Sequence, residues 1–228
     1  HLASLHLAGS FLLLSQLAPP QPGWAQQYNQ YLQPAWARSY EPPSVCSLVT
    51  LRNIDSLLDL ATYTRDKRYL EAIPDALAWM EKVRLPSGLW PRFVELGTNL
   101  PLYYDRGRIR VDSVDDLQIE RRTGYNYEPD LREALSEASS RFRIVLQALS
   151  AGSPVALESQ SKPVSEDLIR EIVSALDEQG RWVSQGALYR VETPGEIWSG
   201  DSARRNQISS KIFTERVNSL CDFLEQTN

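Results

Sequence analysis

Apolar residues recur every three or four positions through most of this chain, and this spacing predicts helices. A first helix is predicted over residues 2–17, and the prolines that follow it end the run because proline cannot continue a helix. Further helices are predicted over about residues 44–63, 66–83, 130–149, 165–176 and 209–226. The pattern predicts a mainly α fold built from helical hairpins, with long irregular loops between them.

The first helix is predicted to be buried, because its apolar positions fall close to helical spacing. These positions are Leu2, Leu5 and Leu12, with either Phe11 or Leu13. The run is too short and too often interrupted by polar residues to span a bilayer, and it lacks the basic start of a secretory signal. A chain that opens with His1 inside a helical pattern is expected to be a piece of a longer protein.

Capping residues refine the boundaries of the next helices. Ser44 or Ser47 is predicted to cap the second helix, and Asp66 the third. Pro74 should either kink that third helix or mark its true first turn. Ser165 is predicted to open the helix of residues 165–176.

Three segments between the helices lack helical periodicity. Residues 21–43 form a loop rich in aromatic residues and proline, and residues 184–207 are predicted to be irregular. Residues 89–125 are also non-helical in pattern, and within them the run RGRIRV at 106–111 alternates strictly. As a short strand, this run would place three guanidinium groups on one face.

Composition restricts the classes of function. The 228 residues fit a single domain, residues 1–228, and the net charge of −5 argues against non-specific binding to nucleic acid. The chain has no βαβ alternation, no glycine-rich phosphate loop and no zinc-ligand spacing. With two histidines, both near the start, histidine-based catalysis is not expected, and the disulfide state of Cys46 and Cys221 is left open.

Residues 92–122 hold six arginines, an unusual density for an acidic protein. Guanidinium groups are costly to bury alone and present donors that match carboxylates. The segment therefore suggests a site for an anionic ligand. The alternative is a lattice of surface ion pairs, because the same stretch holds six acidic residues.

Five short motifs occur in this order along the first half of the chain. They are WAQQY at 24–28, PAWARSYEPP at 34–43, RF at 92–93, TNLPLYYDR at 98–106 and ERRTGY at 120–125. Together they resemble the C-terminal half of the catalytic domain of family 10 polysaccharide lyases, which are pectate lyases with an α/α-toroid fold. The resemblance covers residues 2–125 and implies calcium-assisted β-elimination on polygalacturonate by an exported, monomeric protein, secreted or periplasmic.

The resemblance also implies site residues. The catalytic base of the family is an arginine in a short turn, fourteen residues after the arginine of the RF motif, and that spacing leads from Arg92 to Arg106. Arg121 lies fifteen residues further on, in the ERRTGY motif. Arg106 is therefore predicted to be the base, with Arg92 and Arg121 binding substrate carboxylates. The alternative for Arg106 is an ion pair with Asp105 or Asp112.

Three departures from the family pattern qualify this assignment. Gly107 follows Arg106 where the family usually has aspartate, and Val94 stands where an aromatic residue is commoner. The two aspartate motifs that contribute to calcium and substrate binding in the family lie upstream of anything in this chain. No residue here is assigned as a calcium ligand, and the chain alone is expected to be an incomplete site.

Aromatic residues supply further candidates. Trp24, Tyr28 and Tyr104 are predicted substrate contacts, and Trp36 and Trp90 could also stack on sugar rings. For each of them, the alternative is a loop anchor packed on the core. Arg38 and Glu41 are predicted to be a structural pair that holds the loop beneath the site.

Two other functions stay open at this point. One is a non-catalytic module that binds acidic polysaccharide and keeps the arginine clamps. The other is an α/α-toroid glycoside hydrolase, for which Glu95, Asp105 and Glu120 are nominal carboxylates without a supporting motif. No nucleic-acid or membrane partner is expected.

Overall fold

A computed structural model describes residues 2–155, 164–187 and 204–227. The chain divides into two compact units, His1–Ala156 and Leu157–Asn228. The helices of the first unit are α1 (Leu2–Ser15), α2 (Ser47–Thr64), α3 (Ile73–Lys82), α4 (Ile119–Gly124) and α5 (Arg132–Ser150). Short 3-10 helices lie at Lys67–Leu70 and Val114–Asp116. The predicted mainly α fold is confirmed.

Helix α2 lies at the centre of the first unit and packs against α1, α3 and α5. Its residues Leu51, Ile54, Leu58 and Ala61 follow each other at three- and four-residue spacing, and all four are buried. This stripe faces the main core, which also contains Trp24, Trp79 and Trp90. Residues of α3 and α5 also contribute to this core, as do Tyr69 and Leu70 of the first 3-10 helix.

A small antiparallel sheet carries the arginine segment. Its strands are β1 (Val45–Cys46), β2 (Phe93–Val94), β3 (Pro101–Asp105) and β4 (Ile109–Val111), and they pair in that order. Cys46 lies opposite Phe93 in the first ladder, and Asp105 lies opposite Ile109 in the last. The sheet has its own hydrophobic cluster, which includes Phe93, Leu102, Tyr103 and Tyr127.

The strand predicted over residues 106–111 is confirmed only in its second half, where Ile109–Val111 form β4. Residues 106–108 form the turn between β3 and β4, where Gly107 and Arg108 have φ values of 80° and 64°. Left-handed backbone of this kind interrupts a strand, and a polar/apolar alternation does not reveal it. Arg106, Arg108 and Arg110 therefore do not share one face of a strand. Residues 119–124 were also expected to be non-helical, yet they form α4, which is too short to show periodicity.

Helix α1 is less buried than predicted. Leu5, Leu12 and Leu13 pack against the core, whereas Leu2 and Phe11 are exposed. Apolar residues occur all round this helix, so α2 covers only part of them. Within the described residues, no helix is long and apolar enough to cross a membrane.

The predicted caps have mixed outcomes. Cys46 precedes α2 without a side-chain cap, and the hydroxyls of Ser44 and Ser47 donate to the carbonyls of Pro42 and Pro91 instead. Asp66 does act as a cap, accepting from the backbone N–H of Arg68, but it caps the 3-10 helix at Lys67–Leu70. Pro74 lies in the first turn of α3, which confirms the second of the two predictions for it.

The second unit contains α6 (Glu166–Ser174), β5 (Ser184–Ala187), β6 (Arg204–Gln207) and α7 (Ser210–Thr227). Ser165 caps α6 as predicted, because its hydroxyl accepts from the N–H of Leu168. The ends of the segment predicted to be irregular pair as β5 and β6, and its middle lies outside the described residues. Cys46 and Cys221 are both free thiols.

Candidate functional site

The turn that carries Arg106 is held by the loop before β1. The backbone N–H of Gly107 donates to Oγ of Ser39 over 3.1 Å, and the N–H of Arg108 donates to the Ser39 carbonyl over 2.8 Å. One serine therefore satisfies two backbone donors of a turn with left-handed geometry. Arg106 lies in a short turn, as the family resemblance implied.

Arg106 and Arg121 bind the same carboxylate oxygen. Their terminal nitrogens lie 2.7 Å and 2.6 Å from Oε1 of Glu120. The side chain of Arg106 is 59% exposed, whereas that of Arg121, on α4, is only 9% exposed. Hydrogen bonding to Glu120 raises the pKa of Arg106, and the contacts from Arg106 and Arg121 lower the pKa of Glu120. Neither Asp105 nor Asp112, the predicted alternative partners, makes this ion pair.

Two tyrosine rings lie beneath the three predicted arginines. Tyr40 and Tyr125 pack edge to face with their centroids 5.1 Å apart. The guanidinium carbon of Arg92 lies 4.1 Å from the Tyr125 centroid, and those of Arg121 and Arg106 lie 4.4 Å and 5.7 Å from the Tyr40 centroid. Aromatic faces attract cations at these distances. The fold thus brings Arg92, Arg106 and Arg121 together over one aromatic floor.

The buried carboxylate of Glu41 anchors that floor. It accepts hydrogen bonds from the phenol of Tyr125 over 2.7 Å and from the guanidinium of Arg38 over 2.8 Å. Burial by itself would raise the pKa of Glu41, but bonds from Tyr125, the Arg38 backbone and the Gln26 side chain outweigh it and lower that pKa. The predicted structural pair of Arg38 and Glu41 is confirmed.

Two buried donors in the cluster have no partner within the described part of the chain. They are the Nε–H groups of Arg92 and Arg121. Arg92 uses another nitrogen to donate to the Asn126 carbonyl over 3.2 Å. Because a buried unsatisfied donor is unfavourable, these two N–H groups suit a ligand that brings acceptors, such as a carboxylate.

A second aromatic contact flanks the arginine turn. The guanidinium carbon of Arg108 lies 4.7 Å from the ring centroid of Trp36, and Trp36 packs edge to face on Tyr104 at 5.3 Å. Both rings are half-buried. Of the aromatic residues considered as sugar contacts, Trp36 and Tyr104 therefore lie beside the arginine turn.

Trp24 is a correction to the predicted substrate contacts. It is 0% exposed, and its indole N–H donates to the Leu12 carbonyl, so it belongs to the core. Trp90 is also buried and donates to the Met80 carbonyl. Tyr28 anchors its loop on α1 by donating to the Ser15 carbonyl, and burial raises the pKa of its phenol to about 12.

The three carboxylates named as candidates for glycoside hydrolysis, those of Glu95, Asp105 and Glu120, are engaged with protein groups. Glu95 pairs with Arg110 over 2.8 Å, and buried Asp105 accepts from the backbone N–H of Gln118. Within the described ranges, no three His, Cys, Asp or Glu side chains come together as a metal site. These residues therefore do not fit a calcium ion, and Glu95, Asp105 and Glu120 do not stand out as a free carboxylate pair for glycoside hydrolysis.

Sequence reasoning missed several residues of the cluster. Tyr40 and Tyr125 lie inside the quoted motifs, but nothing in their spacing showed that they would form one floor. Ser39 and Glu120 were missed as partners of the arginine turn, because both contacts join residues far apart in the chain.

The segment that carries the three arginines is similar to a known protein family. Residues 85–135, which include Arg92, Arg106 and Arg121, match the family model described as pectic acid lyase. The chain resembles the pectic acid lyases, as predicted. Comparison with curated protein sequences gives no match.

A solved structure is similar in fold to this chain. It is an aspartate-to-alanine mutant of a family 10 polysaccharide lyase from Cellvibrio cellulosa, in complex with trigalacturonic acid. The match has 20% sequence identity and a TM-score of 0.51, and it covers 59% of this chain and 48% of the other. The present chain thus spans about half the length of that lyase.

Proposed function

We propose that the protein is a pectate lyase that cleaves polygalacturonate by β-elimination, with Arg106 as the base. The reaction removes the proton on the carbon next to a uronate carboxylate. The electron pair forms a double bond to the neighbouring carbon, and the glycosidic oxygen leaves with its electron pair and takes up a proton. The observation that carries the proposal is the convergence of Arg92, Arg106 and Arg121 over Tyr40 and Tyr125, within the segment that matches pectic acid lyases.

The two buried arginine donors support the proposed substrate clamps. The Nε–H groups of Arg92 and Arg121 lack acceptors within the described part of the chain. A uronate carboxylate would supply such acceptors, and guanidinium groups bind it with defined orientation. The positive charge would also stabilise the negative charge that develops on the carboxylate as the proton leaves.

The role of Arg106 depends on its protonation. Arginine is normally protonated at any accessible pH, so a base requires an environment that disfavours the charged form. A neighbouring positive charge such as the guanidinium of Arg121 would act in that direction, whereas Glu120 raises the pKa of Arg106. The proposed activity therefore requires the contact between Arg106 and Glu120 to open.

Calcium is proposed from the family resemblance alone. The described residues do not assemble a ligand set for it. When bound, the ion would act as a Lewis acid on the substrate carboxylate. Activity that survives complete chelation would remove calcium from the proposal.

The decisive test of the lyase proposal is product formation from polygalacturonate. The unsaturated uronate absorbs in the ultraviolet, and we expect this absorbance from the wild-type protein and none from Arg106→Ala. Arg110→Ala is the matched control, because Arg110 lies in the same hairpin but pairs with Glu95 outside the cluster. Equal loss in both variants, or product from Arg106→Ala, would contradict the assigned base.

A second candidate is a non-catalytic module that binds acidic polysaccharide. The ion pair that keeps Arg106 protonated favours it, as does the lack of a metal-ligand cluster in the described ranges. Calorimetry with trigalacturonic acid separates the two functions. Binding without any unsaturated product selects the module.

Three further properties are proposed from the resemblance. The helices would form part of an α/α toroid, a proposal supported by the fold match to the Cellvibrio lyase. The protein would be exported from the cell, which fractionation of the producing cells tests. It would be a monomer, which light scattering of the purified chain tests.

A further inference from the structure

Glu120 holds the position that a substrate carboxylate would need. Its Oε1 accepts from both Arg106 and Arg121. The side chain is 57% exposed, and it lies at the mouth of a cluster whose inner arginine, Arg121, is nearly buried. The carboxylate of a protein glutamate and that of a uronate are the same chemical group, so the two compete for the same donors.

The ion pair is open enough to be replaced. Exposed ion pairs contribute little to stability, because solvent screens them and the long side chains lose rotamer freedom. A uronate brought alongside Glu120 would also be repelled by it. Displacement removes that repulsion and leaves the donors of Arg121 free.

Arg92 and Arg121 can receive the incoming group without Arg106. Their Nε–H groups are buried, and neither has a partner in the described part of the chain. Both guanidinium groups lie over Tyr125, at 4.1 Å and 5.9 Å from its centroid. A carboxylate bound there leaves Arg106 without an anionic partner.

We propose that Glu120 is an internal substitute for the substrate carboxylate, which neutralises Arg106 and Arg121 in the free protein and is displaced when a galacturonate unit binds. The inference rests on the proposed function, since it assumes that galacturonate binds at the arginine cluster. Glu120 is in this view a positioning residue and does not itself touch the reacting atoms.

The displacement has a consequence for the base. Besides each other, two ionisable groups act on this pair: the Tyr40 phenol on Arg106 and the guanidinium of Arg121 on Glu120. Glu120 is the larger cause of the raised pKa of Arg106. Once Glu120 has left, Arg106 keeps the guanidinium of Arg121 as a neighbour, since both groups reach the same Glu120 oxygen. A neighbouring positive charge disfavours the protonated form of Arg106. Substrate binding and activation of the base are thereby coupled.

Carboxyl NMR of the full chain tests displacement directly. Glu120 titrates below the ordinary value in the free protein because of Arg106 and Arg121. We expect its pKa to rise toward the ordinary range when trigalacturonic acid saturates the site. An unchanged Glu120 pKa in the saturated protein overturns the inference while leaving the proposed function intact.

The variant Glu120→Gln tests the same point by affinity and by pH profile. We expect trigalacturonic acid to bind about three- to tenfold more tightly, because one competing anion is gone. The acid limb of the kcat/KM profile should move to lower pH, because Arg106 loses the contact that raises its pKa. The matched control is Glu95→Gln, which removes one charge from the ion pair with Arg110 and should change neither property.

Each outcome decides the inference. Weaker binding by Glu120→Gln, or an effect equal to that of Glu95→Gln, would show that Glu120 supports the site structurally and overturn the displacement model. A fold check by circular dichroism accompanies each variant. If neither wild type nor Glu120→Gln binds trigalacturonic acid, the proposed function itself fails, and the inference fails with it.

Discussion

The phenol of Tyr125 donates a 2.7 Å hydrogen bond to the buried carboxylate of Glu41, although 84 residues separate them. This bond joins the ring beneath Arg92 to the loop that precedes β1. Burial is the larger cause and the bond to Glu41 the smaller, and both raise the pKa of the Tyr125 phenol. The phenol therefore stays protonated and remains a donor.

Tyr125→Phe removes only the hydroxyl from this contact. We expect the free energy of unfolding to fall by about 1–3 kcal/mol, because a buried charged acceptor loses a donor. The ring stays in place, so the loss of affinity for trigalacturonic acid should be smaller than the loss from Arg92→Ala. Urea denaturation and calorimetry measure the two effects, and exposed Tyr31→Phe is the control. No loss of stability would mean that the hydroxyl contributes nothing to the anchor.

Glu41 should make stability depend on acidic pH. Its folded-state pKa lies below the ordinary value of a free glutamate side chain. The stabilisation is therefore fully present above that unfolded-state value and is lost as the pH falls through the lower folded-state pKa. We expect Glu41→Gln to be less stable than wild type at neutral pH, with a difference that shrinks in acid. Thermal unfolding from neutral pH downward checks this, and parallel curves for the two proteins would rule it out.

Ser39→Ala should loosen the arginine turn without unfolding the protein. It removes the acceptor of the Gly107 N–H but keeps the carbonyl that binds Arg108. If the free energy of this one neutral hydrogen bond is lost from the positioning of Arg106 in the transition state, kcat should fall about three- to tenfold. Ser56→Ala is the control, because its hydroxyl contacts only its own helix, α2. A kcat equal to wild type would show that the Ser39 carbonyl alone holds the turn.

Trp24 and Trp36 should respond in opposite ways to substitution. Trp24→Phe loses buried volume and the indole bond to the Leu12 carbonyl, so unfolding free energy should fall by about 1–3 kcal/mol with KM unchanged. Trp36→Ala removes the ring beneath Arg108, so KM for polygalacturonate should rise about two- to fivefold with little change in stability. A raised KM in Trp24→Phe would contradict the assignment of Trp24 to the core and indicate a role in substrate binding.

The sequence predicted the helices more reliably than the site. The stripe Leu51, Ile54, Leu58 identified α2 because helical burial repeats at short range. The alternation over residues 106–111 predicts a strand through Gly107 and Arg108, where the structure has a turn. A pattern of polar and apolar residues carries no information about the positive φ angles of that turn.

The sequence predicts which arginines belong to the candidate site, but it does not predict which residues they contact. The motif spacing led to Arg92, Arg106 and Arg121, which do lie over shared rings. Their contacts to Ser39, Glu120 and Tyr40 depend on which loops meet in space, and residue spacing along one chain does not encode that. Trp24 illustrates the converse error, since its place inside a family motif predicts a substrate contact, whereas its side chain belongs to the core.

Ser39 and Glu41 lie only two residues apart, yet one holds the turn of Arg106 and the other holds the ring under Arg92. Any shift of this short stretch therefore displaces both the turn of Arg106 and the ring under Arg92. Substitutions at the two positions should therefore be strongly epistatic: a double variant loses less than the sum of the single losses. Sequence change at these two positions is therefore expected to be correlated, because the second replacement costs less once the first has been made.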